Sequence, residues 1–446
     1  MTREQRLIME QAHDLLIPAW RRERERQTVL RDWGRGVHVP PFKPREANQE
    51  YEALLEKSPV PLIDVVLRVL TQTLEIVDYN PGVADQDVKD AMKARLWEIW
   101  RRNLLPVRQK RLYRAAFQGG QSFALAVPGD TAPVIKVFSA RNMIALYQDP
   151  EADEWPMVSA YSEKADSRHF HFGVVDEKAV HVLQIDADGG NAEYLEKQVH
   201  GTEIVPVVRY AGDVDDEGNV YGEVERLIPI QANIDQTNFD RLLTQSYSSW
   251  KIRYITGMEK PETDADAAAQ KATLERDRLL LIENPEAKVG TLDGTELNGY
   301  IAARRDAKQD LATAAQISQK AIVGSQSNNA DGAEAQAAEE ASTQRKIHDY
   351  TVAFGESHGQ LFRLAGLIDG IPGAWDDYAG AVEWANSEIR SLSQVADAVG
   401  KLRTQVDAPR RGLWEMLPGM SPERIKRWQE YAQEDPGPIQ QLMNGL

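Results

Sequence analysis

The sequence predicts an α+β protein, and three observations carry that class. Ahead of the Gly119-Gly120 pair nearly all apolar spacing is helical. Behind it the period changes from 3.6 to 2, and SFALAVPG, VIKVF, VSAYS, HFHFGVV, AVHVLQI and VPVVRY read as strands separated by Pro, Asp-Gly and Asn turns. From Tyr221 onward the chain is helical again, apart from one insert. Strands grouped in the middle of the chain, rather than alternating with helices, predict a meandering antiparallel sheet.

Taken in order, Thr2 and Gln5 form a capping-box start to the first helix. Its continuation, Trp20 to Trp33, mixes arginine and glutamate, which reads as a solvated helix surface in preference to a nucleic-acid contact. Glycines and prolines from Gly34 to Pro44 end it and predict a loop or extended arm. Pro59 to Leu70 is an apolar helix and Leu74 to Val77 a short strand. Asp85 to Leu104 is amphipathic through Val88, Met92, Leu96, Ile99 and Trp100. Lys89 to Arg114 carries nine Lys/Arg and two acids, a basic patch that ordinary ion pairing with acidic surface would explain as well as a ligand would.

Two helical rods follow the strands. The first, Glu223 to Trp250, sets Val224, Leu227, Ile228, Phe239 and Leu242 near one face; the second, Glu296 to Val323, does so with Leu297, Ile301, Leu311, Ala315 and Ile322. Each would be roughly 40 Å long at 1.5 Å per residue, and the insert joining them, Lys251 to Thr295, predicts antiparallel pairing. That insert has strand-like ends at KIRYITG and LLLIENP. The polar loop GSQSNNADG, Gly324 to Gly332, leads into a third long helix that runs to about Ile368 and is broken by Gly370, Pro372 and Gly373. Ser387 to Arg403 and Ser421 to Gln433 are two further helices, the second opened by Ser421-Pro422. Polar residues interrupt both rods: Gln231, Asp235 and Asn238 on the first, Arg304 and Lys308 on the second. Antiparallel pairing with Trp250 near Glu296 puts Asp235 close to Lys308, so a charge pair across the helices or between copies stands against solvated polar positions.

Composition removes most chemistry. The chain of 446 residues has no cysteine, hence no disulfide, thiolate nucleophile or Cys-based zinc site. A net charge of -17 argues against a general nucleic-acid-gripping surface. Mean hydropathy is -0.49, no run approaches the ~20 apolar residues of a membrane span, and MTREQRLIMEQ lacks a signal-peptide core. The expectation is a protein that stays where it is made, with no membrane contact. Asp213, Asp215, Glu217 and Gly218 resemble half of an EF-hand loop, but Val224 stands where a bidentate carboxylate is needed, so an acidic turn is expected. His169 and His171 share a strand face with no third ligand at a recognisable spacing, and His348 and His358 are away from any nucleophile. No Walker, GxSxG, HExxH or GxGxxG motif is present. Neither an enzyme nor a cofactor or metal is expected.

Four segments, in order, resemble the portal proteins of tailed bacteriophages, of the type found in long-tailed phages of Gram-positive hosts. RRNLLPVRQKRLYRAAFQGGQSFALAV resembles the family's helix, glycine turn and strand; VHGTEIVPVVRYAG its strand before the stem; YGEVERLIPIQANIDQTNFDRLLTQSYSSWKIRYITG its first stem helix running into the clip; and EWANSEIRSLSQVADAVGKL the helical segment after the tunnel helix. The resemblance implies an α/β wing over 1–220, stem helices at 221–250 and 296–323, a small α/β clip at 251–295, a tunnel loop at 324–332, a tunnel-lining helix at 333–370 and a helical crown at 371–446. It further implies a ring of about twelve copies at one capsid vertex of the virion, assembled in the host cytoplasm with major capsid and scaffolding proteins. Double-stranded DNA would pass through without sequence readout, while the terminase large subunit and a head–tail connector dock on the clip.

In those terms Ser325, Gln326, Ser327, Asn328 and Asn329 are the expected tunnel-loop contacts. Asp235, Arg304, Arg305 and Lys308 are the stem groups for DNA or subunit pairing, and Arg253, Tyr254, Glu259 and Lys260 belong to the clip docking surface. The Pro-rich arm Gly34 to Glu56 would embrace a neighbouring subunit. Other readings are another head-assembly or tail structural protein, such as a scaffold or connector, and a soluble α+β enzyme. The first lacks a reason for the sheet-rich middle and the insert, and the second lacks a convergent set of carboxylates or histidines.

Overall fold

The computed structural model describes residues 2–38, 49–150, 152–187, 189–248, 253–256, 279–282, 297–324, 333–385, 392–406, 410–415, 417, 424–425, 427–428 and 430–431. Helix α1, Arg3–Gln11, starts on the expected capping box, with the Thr2 hydroxyl accepting from the Gln5 N–H and the Gln5 side chain closing back on the Thr2 N–H. A π-helical turn, Ala12–Leu16, leads without interruption into α2, Ile17–Arg35, which ends on Gly36 in the left-handed region at φ 68°. The helix therefore runs past Gly34, which is buried inside it. The charge run on α2 is only partly solvated. Arg26 donates to the carbonyls of Gly119 and Val220 and pairs with Glu225, and Arg24 lies over the Trp20 and Phe170 rings while donating to Asn142. Long arginines here bury their stems and tie three segments together.

Helices α3 (Gln49–Glu56), α4 (Leu62–Thr73), α5 (Gln86–Arg102) and α6 (Leu105–Gly119) follow, with strand β1 (Ile76–Asn80) between α4 and α5. Asp85 caps α5 by accepting from the N–H groups of Asp87 and Val88. The basic patch over α5 and α6 finds its acids within the chain: Lys93 pairs with Asp78, Arg95 with Asp369, Arg102 with Glu98, Lys110 with Glu75 and Arg114 with Asp64. The Gly119-Gly120 turn needs both glycines. Gly120 sits at φ 92°, and a Cβ on Gly119 would stand 1.9 Å from the Gln27 side chain that donates to the Gly119 carbonyl.

The β region is two antiparallel sheets instead of one meander. Strands β2 (Gln121–Val127) and β3 (Val134–Ser139) form a hairpin, and β9 (Val207–Ala211) returns on the other side of β2, giving the order β3-β2-β9. Strands β4 (Met143–Leu146), β5 (Val158–Lys164), β6 (His169–Val175), β7 (Ala179–Asp186) and β8 (Glu193–Val199) form the second sheet in sequence order. The sequence reading lacks β4, which is four residues long, and β8, an edge strand with almost every residue exposed and so no apolar alternation. One face of the second sheet packs on α1 and α2 through Leu16, Trp20, Phe172 and Leu183. A separate core of Phe123, Leu125, Met143, Tyr161, Val175 and Val207 joins residues of both sheets.

Helix α7, Glu223–Ser248, and α8, Asn298–Ala314, are the paired rods. Glu223 at the start of α7 shares Lys346 with the Ala315 carbonyl just beyond α8, while Arg241, late in α7, lies beside Arg304, early in α8. The two helices are therefore antiparallel. The second rod does not continue to Val323 as expected. It stops at Ala314, Gln316 turns into the left-handed region at φ 55°, and Gln319–Val323 resumes as the short helix α9. The break lets Ile317 reach the main core beside Ile322, whereas a straight continuation of α8 would turn Ile317 away from the Leu311 stripe.

Between the rods, β10 (Arg253–Thr256) and β11 (Leu279–Ile282), the two strands read from the insert, pair in parallel. Helix α10, Ala333–Asp369, spans roughly 55 Å at 1.5 Å per residue and supplies Tyr350, Phe354, Leu361, Phe362 and Leu364 to the main core with α4, α5 and α6. Beyond it β12, Ala381–Trp384, pairs antiparallel with β1, closing the unit Met1–Trp384. The second unit, Ala385–Leu446, contains helices α11 (Leu392–Gln405) and α12 (Arg410–Glu415) and an edge-to-face contact between Trp414 and Trp428. The start expected at Ser421-Pro422 lies outside the described residues.

Candidate channel and assembly site in the paired helices

The base of the helix pair is a buried ion pair. Glu223, 1% exposed, stands in the first turn of α7, where the helix N-terminus favours a carboxylate. It receives Lys346 Nζ at 2.6 Å and the Tyr350 hydroxyl at 2.8 Å. Lys346, 7% exposed, also donates to the Ala315 carbonyl at 2.8 Å. Burial lowers the Lys346 pKa while the Glu223 charge opposes it, and burial followed by Glu223 pushes the Tyr350 hydroxyl upward. Three helices, α7, α8 and α10, thus meet on one charge pair. A buried pair of this kind positions elements more than it stabilises, because desolvation offsets much of the attraction.

About two to four turns along α7, Gln231, Asp235 and Asn238 share a face at spacings of four and three, as the sequence shows, and their hydrogen bonds reach the segment from His38 to Val60. Asp235, 1% exposed, accepts from His38 Nε2 at 2.8 Å, the Val60 N–H at 2.9 Å and Gln231 Nε2 at 2.8 Å. Gln231 also donates to the Val60 carbonyl at 2.7 Å, and Asn238 Nδ2 to the Ser58 carbonyl at 2.7 Å. His38 stacks on Trp33 with ring centroids 3.6 Å apart, and Phe239 meets Tyr51 of α3 edge to face. The expected pairing of Asp235 with Lys308 is therefore replaced: both carboxylate oxygens are occupied by groups of its own chain. The described parts of the Pro-rich arm, His38 and α3, pack on this chain's own α7. Residues 39–48 of the arm lie outside the described residues.

Further along, charge is left open. Arg304 and Lys308 are half-buried, one turn apart on α8, and Arg241 of α7 comes up beside Arg304. Among the described residues no carboxylate pairs with any of the three, and Nε of both Arg241 and Arg304 is buried with no acceptor. Arg241 reaches only amide oxygens, Asn238 Oδ1 at 3.1 Å and Gln245 Oε1 at 3.4 Å. Burial and then the neighbouring Arg241 charge lower the Arg304 pKa; burial and then Arg304 lower that of Lys308. Arg305 is exposed. Asp240, half-buried on α7, has its carboxyl pKa raised by burial, with no cation acting to lower it.

The remaining site residues divide by placement. Ser325, Gln326, Ser327, Asn328, Asn329, Glu259 and Lys260 lie outside the described residues, while Arg253 and Tyr254 are in β10, opposite Leu279 and Leu280. Glu223, His38, Arg241 and Lys346 belong to the site and were not singled out by sequence. Glu223 and Lys346 are separated by both rods, the whole insert and the polar loop, and no local pattern links them.

Elsewhere, the Asp215 carboxylate is consumed by the N–H groups of Glu217 and Asn219, by Asn219 Nδ2 and by the Tyr221 hydroxyl, making the acidic loop a self-closed turn. His169 is held by Asp166 at 2.8 Å, and among the described residues no group of three metal-ligating side chains occurs. His358 is fully buried between the Tyr113 hydroxyl at 2.8 Å and the Tyr210 hydroxyl at 3.0 Å, and burial pushes its pKa down to about 3. It is a neutral packing residue. No described helix is long and apolar enough to cross a membrane.

The family profile for "Phage portal protein, SPP1 Gp6-like" matches residues 49–437, and the chain belongs to that family. It is a structural protein of a phage-like particle with a portal or connector role, and not an enzyme. No curated protein sequence matches it. Among solved structures it is similar to a chain in the neck of a native GTA particle computed with C12 symmetry, with a TM-score of 0.49 and 10% identity, covering 88% of this chain and 99% of that one. A chain from the virion of a native gene transfer agent (GTA) particle gives a TM-score of 0.44 at 12% identity, covering 86% and 94%. One from the neck of an empty GTA particle computed with C6 symmetry gives 0.43 at 12% identity, covering 82% and 91%.

Proposed function

We propose that this portal protein closes into a ring of about twelve copies at one capsid vertex and forms the channel through which double-stranded DNA is packaged and ejected. The carrying observation is the family match, which spans both rods, the insert and the long helix. In this reading residues 1–220 are the wing, α7 and α8 the stem, 251–295 the clip that receives the terminase large subunit and later a head–tail connector, 324–332 the tunnel loop, α10 the helix behind it, and 371–446 the crown. The host class, a long-tailed phage of a Gram-positive bacterium, and assembly in the host cytoplasm rest on the sequence resemblance.

The polar loop suits passage of any sequence: Ser325, Gln326, Ser327, Asn328 and Asn329 can hydrogen-bond phosphates without holding them. Arg305, exposed on the stem, is the side chain assigned to DNA, and the net charge of -17 per chain keeps the surface around it repulsive to phosphate. Native mass measurement with negative-stain imaging tests the ring, and deletion of Gln326 to Ala330 tests the channel. Closed rings that survive the deletion but lose DNA packaging or retention are expected. A stable monomer or dimer at high concentration contradicts the ring, and loss of the ring on deletion makes the loop structural.

A further inference from the structure

We propose that the open charges of the paired helices close between neighbouring copies of this chain, with Asp240 of one copy received by Arg304 and Lys308 of the next. This rests on the ring reading above and gives that ring a specific contact.

In the same region the strongly buried acids are already satisfied within the chain, Glu223 by Lys346 and Asp235 by hydrogen bonds with His38, the Val60 N–H and Gln231. Arg241, Arg304 and Lys308 break that pattern. They form a contiguous cationic strip in which two Nε–H donors are buried and unreceived, and Arg304 and Lys308 sit at the i, i+4 spacing where like charges repel. Buried donors without acceptors are rare in folded proteins unless something outside the chain supplies the acceptor.

Asp240 is the complementary exception, a half-buried carboxylate with no cation against it. It follows one residue before Arg241, yet successive helix positions are turned by ~100°. Asp240 follows Phe239, whose ring meets Tyr51 of α3, and burial and then the Asp240 charge raise the Tyr51 pKa, whereas Arg241 borders Arg304 of α8. Acid and cations therefore lie on different flanks of the helix pair. A ring built from one head-to-tail contact brings two different flanks together at every interface, and these two carry opposite, unspent charge. A phosphate backbone would meet the cations but leave Asp240 unexplained, and the exposed Arg305 is better placed to meet it.

The absence of native cysteine makes the contact directly testable. In the full chain, Asp240→Cys combined with Lys308→Cys and treated with a short bis-maleimide should give a ladder of covalent multimers on a denaturing gel, while either single variant should give none beyond a dimer. Asp240→Arg and Arg304→Asp should each reduce ring formation at least tenfold, and the two together should restore it. Wild-type rings with no ladder, or rings retained in both reversals, overturn the contact and leave the ring reading standing. Wild type that stays monomeric overturns both. Intact rings that lose DNA retention on Arg304→Asp also overturn the contact and assign the cations to phosphate.

Discussion

The two halves of the helix pair handle charge differently. At the base, Glu223, Lys346, Asp235 and His38 are almost fully buried, Glu223 pairing with Lys346 and Asp235 hydrogen-bonding with His38 in the same chain. Toward the insert, Arg241, Arg304, Lys308 and Asp240 are half-buried and meet none. The difference separates what one chain must hold to fold from what it leaves for assembly. The base joins α7, α8, α10 and the N-terminal segment within the chain; the far half holds groups that are unsatisfied among the described residues, which the proposed neighbour would complete.

The strongest way to break this contrast is at the base. Lys346→Met leaves Glu223 buried without its cation and should cost about 3–5 kcal/mol, read as a shift of the urea midpoint. A small effect there would mean that the base is as open as the far half. The closed region also predicts a pH dependence. The folded pKa of His358, about 3, lies below its ordinary value of 6.5, so below pH 6.5 the folded state binds fewer protons than the unfolded one. The stability from keeping His358 neutral is whole above pH 6.5 and is lost as pH falls toward 3. Between pH 7 and pH 4.5 the wild type should lose about 2–3 kcal/mol more than His358→Gln, by chemical denaturation at the two pH values.

A milder break is Asp235→Ala, which strands the Val60 N–H and the His38 and Gln231 donors. It should destabilise by about 1–3 kcal/mol in the same assay. The smallest effect sharpens the comparison from the other side: Arg304→Met removes an unmatched charge and should change unfolding of the isolated chain by no more than about 0.5 kcal/mol, measured under conditions that keep it monomeric.

The sequence made the fold class, the two rods, the insert strands and the long helix legible because each carries a sustained apolar period. It missed β8 because an exposed edge strand has no such period, and it ran the second rod through Ala315–Ser318 because Ile322 keeps the helical stripe while the turn at Gln316 brings the off-stripe Ile317 into the core. The site was half legible. The polar spacing of Gln231, Asp235 and Asn238 was visible, but its partners, His38, Val60 and Ser58, come from nearly two hundred residues away. A polar stripe announces that something polar faces it, not which element does. Arg304 and Lys308 were visible as charges, and only the structure shows that no carboxylate among the described residues pairs with them.

The central claim, that the far half of the helix pair is open in the chain and closed in the assembly, is tested most directly by sedimentation of Arg304→Glu beside the wild type. The variant should sediment as a folded, monodisperse monomer where the wild type forms rings. A variant that forms full rings, or one that fails to fold, would contradict it.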